Sequence, residues 1–145
     1  MSNPAERHVE REFAMQMLFQ MEAQKDFSQE CYDKFLSNFL KEGSGSEYVK
    51  TLYTAFTEHK EEVDKAISDN AKGWTFQRIG KADLAILRIA VTEILFSGKD
   101  SGVNEKIAIN EAVNFAKKYC ADESSKFVNG LLSGVVRSCA ETGLE

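Results

Sequence analysis

Proline is almost missing from this chain. The only one, Pro4, lies near the start, where a helix can begin on it and nothing downstream is broken by it. Glycine is modest too, at nine of 145 residues. So few breakers leave long uninterrupted stretches and exclude a many-turned β architecture. Cysteine occurs three times, as Cys31, Cys120 and Cys139. The number is odd and no two show C-x-x-C spacing, which argues against a disulfide framework or a thiolate zinc site and fits free thiols of a cytoplasmic protein. The two histidines, His8 and His59, have no second ligand at helical spacing, so no metal site is expected. There is no apolar run of about 18 residues to span a membrane. The opening MSNPAERHVEREFAMQ is charged where a secretory leader would be apolar. The sequence therefore predicts a cytoplasmic protein without membrane contact. The motifs GxSxG, GxxxxGKS/T, GxGxxG and HExxH are also lacking. No enzyme activity and no cofactor are expected.

What is present is an ordinary globular composition, 43% hydrophobic and 28% charged, with a formal net charge of −5. A chain of this length supports one domain with a real core; a single domain over residues 1–145 is expected. The charge is uneven. Residues 1–71 sum to −6 and residues 72–145 to +1. An acidic total leaves room for a local basic patch that meets phosphate, but it argues against coating a nucleic acid through bulk charge.

Helical periodicity runs throughout. Val9, Phe13, Met17 and Met21 recur every four residues in a helix expected from about Ala5 to Gln24. Ser28 can cap a second helix carrying Cys31, Tyr32, Phe35, Leu36, Phe39 and Leu40. GSGS at 43–46 breaks it, and Ser46 can cap a third helix with Val49, Leu52, Tyr53 and Phe56. The pattern continues through Val63 and Ile67 with a break near His59. Lys72 to Gly80 reads as a connection anchored by Trp74 and Phe76. ADLAILRIAVTEILF, 82–96, is apolar nearly all round and predicts the buried centre of a bundle. After a loop at 97–103, Asn104 can cap a helix from Glu105 to Tyr119 with Ile109, Ala112, Val113 and Ala116 inward. Asp122 can cap the last helix, in which Phe127, Val128, Leu131, Leu132, Val135 and Val136 point inward. Gly130 and Gly134 lie inside it at a cost of about 1 kcal/mol each relative to alanine, which suggests close approach of another helix or a ligand. The whole reads as six or seven helices in one bundle without strands.

Chemistry-bearing candidates are few. Carboxylate pairs such as Glu61-Glu62 and Asp122-Glu123 fit solvated faces or helix N-termini better than an acid/base couple. Cys120 beside Lys117 and Lys118 could be an activated thiol, but it lacks a histidine base and reads better as structural. Lys117, Lys118 and Lys126 surround the 119–122 break, with Tyr119 and Phe127 adjacent. Cations, rings and a helix N-terminus suit single-stranded nucleic acid, with phosphate on the lysines and a base on a ring. Solvated lysines beside a core phenylalanine explain the same spacing. Arg7, His8 and Arg11 form a second basic spot, with Arg7 and Arg11 on one face, diluted by Glu6, Glu10 and Glu12.

ADLAILRIAVTEIL at 82–95, VNEKIAINEAVNFAKKY at 103–119 and SSKFVNGLL at 124–132 together resemble the NusB family of bacterial transcription antitermination factors. EREFAMQMLFQ at 10–20 is similar to that family's first helix, R-E-x-A-x-Q-x-L-Y/F. The resemblance implies an all-α fold of about seven helices in two subdomains and no catalysis. It implies binding of boxA-type single-stranded RNA in ribosomal RNA leader transcripts, together with NusE, a small-subunit ribosomal protein, to help the RNA polymerase elongation complex read through termination signals. By position it assigns RNA-facing roles to Arg7, Arg11, Phe19, Lys126, Phe127 and Glu123. It places Asp83 near the protein partner, and Arg88, Ile109, Ala112, Val113 and Leu131 in the fold.

Two departures stand out. The family's densely basic opening is here R-H-V-E-R, which lowers the expected RNA affinity without the partner. Asn104 replaces a proline common before I-A-I-N-E-A. Two other readings remain. One is the RNA-binding appendage of an rRNA cytosine methyltransferase, for which the chain lacks a methyl-donor domain. The other is a homodimerising module without RNA, motivated by the diluted arginines.

Overall fold

The computed structural model describes residues 4–40, 47–96 and 105–142. Within them lie seven α-helices and a short 3-10 turn at Phe76–Arg78: α1 Pro4–Gln24, α2 Gln29–Leu40, α3 Glu47–Glu58, α4 Lys60–Asn70, α5 Lys81–Phe96, α6 Glu105–Tyr119 and α7 Asp122–Thr142. The GSGS break, the 97–103 loop and the expected caps Ser46 and Asn104 fall outside the described residues. No helix among those described is long and apolar enough to cross a membrane.

Local chemistry explains the boundaries. Pro4 opens α1 at the one helical position that needs no N–H donor. Past Gln24, Lys25 takes a left-handed φ of 55°. The Lys25 N–H then reaches the Glu22 carbonyl at 3.2 Å and the Asp26 N–H the Met21 carbonyl at 3.0 Å, a Schellman ending on a residue other than glycine. Ser28 caps α2 as expected, its Oγ accepting from the Cys31 N–H at 3.2 Å. His59 separates α3 from α4 and stacks on Phe96 with ring centroids 3.9 Å apart.

α5 is the common partner on which α1, α3, α4, α6 and α7 all pack. Every residue from Leu84 to Glu93 is buried, so the all-round apolar pattern does mark the centre. Two charges lie inside that helix. Arg88 is 2% exposed. It donates to both oxygens of Asp64 on α4 at 2.9 Å and to Glu22 on α1 at 2.8 Å. The rings of Phe27, Phe56 and Phe76 surround its guanidinium at 5.3–5.9 Å. A guanidinium buried this fully is tolerable only because every side of it meets a carboxylate or a ring face.

Several expectations are corrected in detail. Val9 does not join the apolar stripe of α1 and is 47% exposed; the stripe is Ala14, Met17, Leu18 and Met21, and Glu10 and Arg11 are buried. Trp74 does not anchor the 72–80 connection, being 54% exposed; Ile79, at 8%, does. On α6, Ala108 and Phe115 are buried where Ile109 and Val113 are only half-buried. The two glycines of α7 part company. A Cβ at Gly134 would stand 2.4 Å from Asn70 Oδ1, whereas one at Gly130 meets nothing within 4 Å. Only Gly134 marks a close helix approach.

Candidate nucleic-acid interface

The break between α6 and α7 is fastened from several directions. The Cys120 N–H closes α6 on the Ala116 carbonyl at 2.9 Å, and the Ser124 N–H opens α7 on the Ala121 carbonyl at 2.9 Å. Asp122 is therefore the first residue of α7 rather than its cap. Asp83, in the first turn of α5, reaches across and accepts from Ser124 Oγ at 3.3 Å. Its other oxygen is buried without a hydrogen-bond partner among the described residues. Burial and the Asp83 carboxylate push the Cys120 thiol up to about 12. It stays protonated at neutral pH, and the activated-thiol reading fails because Asp83, not the lysines, governs it.

Around this turn the side chains divide cleanly. Lys117, Lys126 and Glu123 are exposed, and neither lysine is ion-paired among the described residues. Phe127 is half-buried, with its ring tilted 58° to that of Trp74 at 5.9 Å. Asp122 and Glu123 already occupy the field of the α7 N-terminus. A phosphate would therefore meet the lysines rather than the N–H groups expected to attract it.

Tyr119 links the turn to α1. Its ring is 40% exposed. Its hydroxyl donates to Glu12 and accepts from Gln16 Nε2 at 3.2 Å. Lys118 Nζ lies 2.6 Å from the same Glu12 carboxylate. Burial opposes the charge on Glu12, but hydrogen bonds from Lys118 and Tyr119 outweigh it and hold the carboxyl below its ordinary range. Glu12, Gln16 and Phe19 follow one face of α1 at helical spacing. Phe19, 41% exposed, continues the surface one turn beyond the Tyr119 contact.

The arginines go elsewhere. Arg11 is 4% exposed. Its Nε reaches the two Glu93 oxygens at 2.8 and 3.0 Å, and its Nη1 lies 3.6 Å from Glu111. Tyr48 donates its hydroxyl to the same Glu93 carboxylate. Arg7 lies over the Tyr48 ring at 3.7 Å and close to Glu10, with 15% of its side chain exposed. His8 stacks on Phe115 and meets Glu111 at 2.7 Å. The expectation that Arg7 and Arg11 share a face holds, but that face turns toward α3 and α5. As placed, Arg11 offers no surface to a phosphate.

Of the residues singled out from sequence, Lys126, Phe127, Glu123 and Asp83 gather at the α6–α7 turn. Phe19 is exposed on α1, three residues past Gln16, which bonds Tyr119, and Arg7 and Arg11 lie apart. Sequence reasoning missed the Glu12–Tyr119 link, because nothing local marks a pair separated by 107 positions. No group of three His, Cys, Asp or Glu able to hold a metal occurs among the described residues.

The all-helical bundle thus carries exposed lysines and rings at one interhelical turn. The sequence profile of the NusB family matches residues 8–137. The transcription antitermination protein NusB of Acetivibrio thermocellus is 37% identical over 131 residues, covering 90% of this chain and 88% of that protein. The solved NusB of T. maritima superposes with a TM-score of 0.80 at 28% identity, covering 94% and 93%. A chain from a structure of antitermination factors NusB and NusE in complex with double-stranded RNA has a TM-score of 0.77 at 24% identity, covering 94% and 99%, a likeness of fold. This chain belongs to the NusB family.

Proposed function

We propose that this chain is a non-catalytic, cytoplasmic transcription antitermination factor. It acts as one domain that binds boxA-type single-stranded RNA of ribosomal RNA leader transcripts together with NusE and promotes read-through by RNA polymerase. The observation that carries this reading is the pairing, at one fastened turn, of exposed Lys117 and Lys126, neither ion-paired among the described residues, with the rings of Tyr119 and Phe127, while Phe19 is exposed on α1. The lysines take phosphates and set register, while the rings take unstacked bases. Glu123 lies at the rim of the turn. Asp83 orders the turn from beneath, next to the surface that meets NusE. Arg7 retains an exposed fraction that reaches RNA at the edge, whereas Arg11 acts by holding α1 in place.

The two or three cations of this turn by themselves give weak affinity and a shallow log–log salt slope, about −1.5 to −2 for single-stranded RNA. NusE supplies the rest. Fluorescence anisotropy of a labelled boxA-type RNA, with and without NusE, tests this. Binding tightens with NusE and weakens at least about tenfold in a Lys126→Ala, Phe127→Ala variant that retains its helical circular dichroism. Unchanged affinity in that variant overturns the assignment of the face. The burial of Arg11 favours one second reading, a homodimerising module that has lost RNA binding; light scattering that shows a stable dimer, with no RNA bound even beside NusE, would establish it.

A further inference from the structure

The chain has one tryptophan, and it is the most exposed large hydrophobic residue described, at 54%. Its position is built. Gly73 takes a φ of +80°, in which a side chain would be strained. The Trp74 N–H then closes the turn on the Ala71 carbonyl at 3.0 Å. The turn sets the indole against Phe127, 5.9 Å between centroids, and leaves over half of it in water. A side chain needed only to cover Phe127 would gain more by lying down on it.

The segment that carries it is basic. From Lys72 to Ala82 the segment holds Lys72, Arg78 and Lys81 and no acid. All three are exposed and none is ion-paired among the described residues. Lys126 stands next to Phe127. The nearest acids by sequence on α7, Asp122 and Glu123, occupy its first turn. An exposed indole on a segment with three exposed cations complements an unstacked base flanked by phosphates.

We infer that Trp74 is a base-stacking residue that extends the RNA face from the α6–α7 turn onto the 72–82 segment, pairing with Phe127 as a platform. This inference rests on the RNA-binding reading above. It adds a second strip of the surface, on a different segment, and assigns Lys72, Arg78 and Lys81 to phosphates of the same strand.

The test uses the complex of the full chain with NusE and a boxA-type RNA, in wild-type, Trp74→Phe, Trp74→Ala and Lys126→Ala forms. The emission difference between wild type and Trp74→Phe isolates the indole. It is quenched along the same isotherm that labelled RNA reports by anisotropy. Trp74→Ala weakens RNA binding about 5- to 150-fold, and Trp74→Phe keeps most of the affinity. Matching circular dichroism and melting curves show that the variants are folded. If Lys126→Ala weakens binding while Trp74→Ala does not and its emission is unmoved, the inference fails and the RNA reading stands. If Trp74 emission responds to NusE alone and Trp74→Ala weakens only NusE binding, the residue belongs to a protein interface and the inference is overturned. If wild type binds no RNA even with NusE, both fall together.

Discussion

Two stretches of this chain carry basic residues beside acids, and the fold treats them in opposite ways. Arg11 on α1 is drawn inside to Glu93, while Lys117 and Lys126 at the α6–α7 turn stay in water. The difference lies in the partner. Glu93 sits on a helix buried all round, where burial raises its carboxyl despite Arg11 beside it, and an unpartnered carboxylate there would be very costly. A planar guanidinium with fixed donors meets that demand better than a flexible ammonium. The turn has its own partly buried acid, Asp83, but it meets Ser124 and the Cys120 thiol and pairs with neither Lys117 nor Lys126 among the described residues. Basic residues in sequence are therefore not one kind of evidence: what they serve depends on whether a buried acid claims them.

The largest effect expected from this contrast is on stability. Arg11→Ala takes the guanidinium from buried Glu93 and should cost about 3–5 kcal/mol in urea or thermal unfolding. Lys126→Ala should stay within about 0.5 kcal/mol of wild type in the same assay. Equal losses would erase the distinction. Next comes RNA affinity, where the ranking reverses: Lys126→Ala lowers it and flattens the salt slope by about 0.7. Glu12→Gln releases Lys118 and should strengthen binding about two- to fivefold at low salt, measurable by anisotropy. A smaller effect separates the two α7 glycines. Gly130→Ala should stabilise by roughly 0.5–1 kcal/mol; Gly134→Ala gains less, since its methyl group meets Asn70, and an added Asn70→Ala should restore the gain. The smallest is the response to acid. Glu12 and Glu22 have carboxyls held below their ordinary range, by Lys118 and Tyr119 and by Lys25 and Arg88 against opposing burial. The folded state therefore binds fewer protons than the unfolded chain, and stability declines as pH falls below about 4.5. Glu93, raised by burial, works in the other direction and shallows the decline. A melting series across that range reads the balance, and stability that rose on acidification would contradict it.

The helices were legible because their evidence is local. Periodicity, Ser28 and the breaks at His59 and Cys120-Ala121 predict boundaries within a residue or two. The α5 pattern also announced its own burial. Much of the site was less legible because its evidence is long-range. Arg11 and Glu93 stand 82 positions apart, and no pattern near Arg11 says that it will turn inward. Trp74 read as an anchor because tryptophan is usually covered; only the Gly73 turn explains why this one stands proud. Lys126 and Phe127 were legible from the resemblance of one continuous string, where spacing alone left two readings open.

The bond between Glu12 and Tyr119 has a further consequence. It joins the first helix to the end of the sixth, so the surface they share spans nearly the whole chain. During synthesis the early helices can pair with one another, but Tyr119 emerges only after α6 is complete, and Phe127 after that. Contacts of such high sequence separation are among the last to close. A nascent or truncated chain, however helical, would carry half of the surface and none of its geometry.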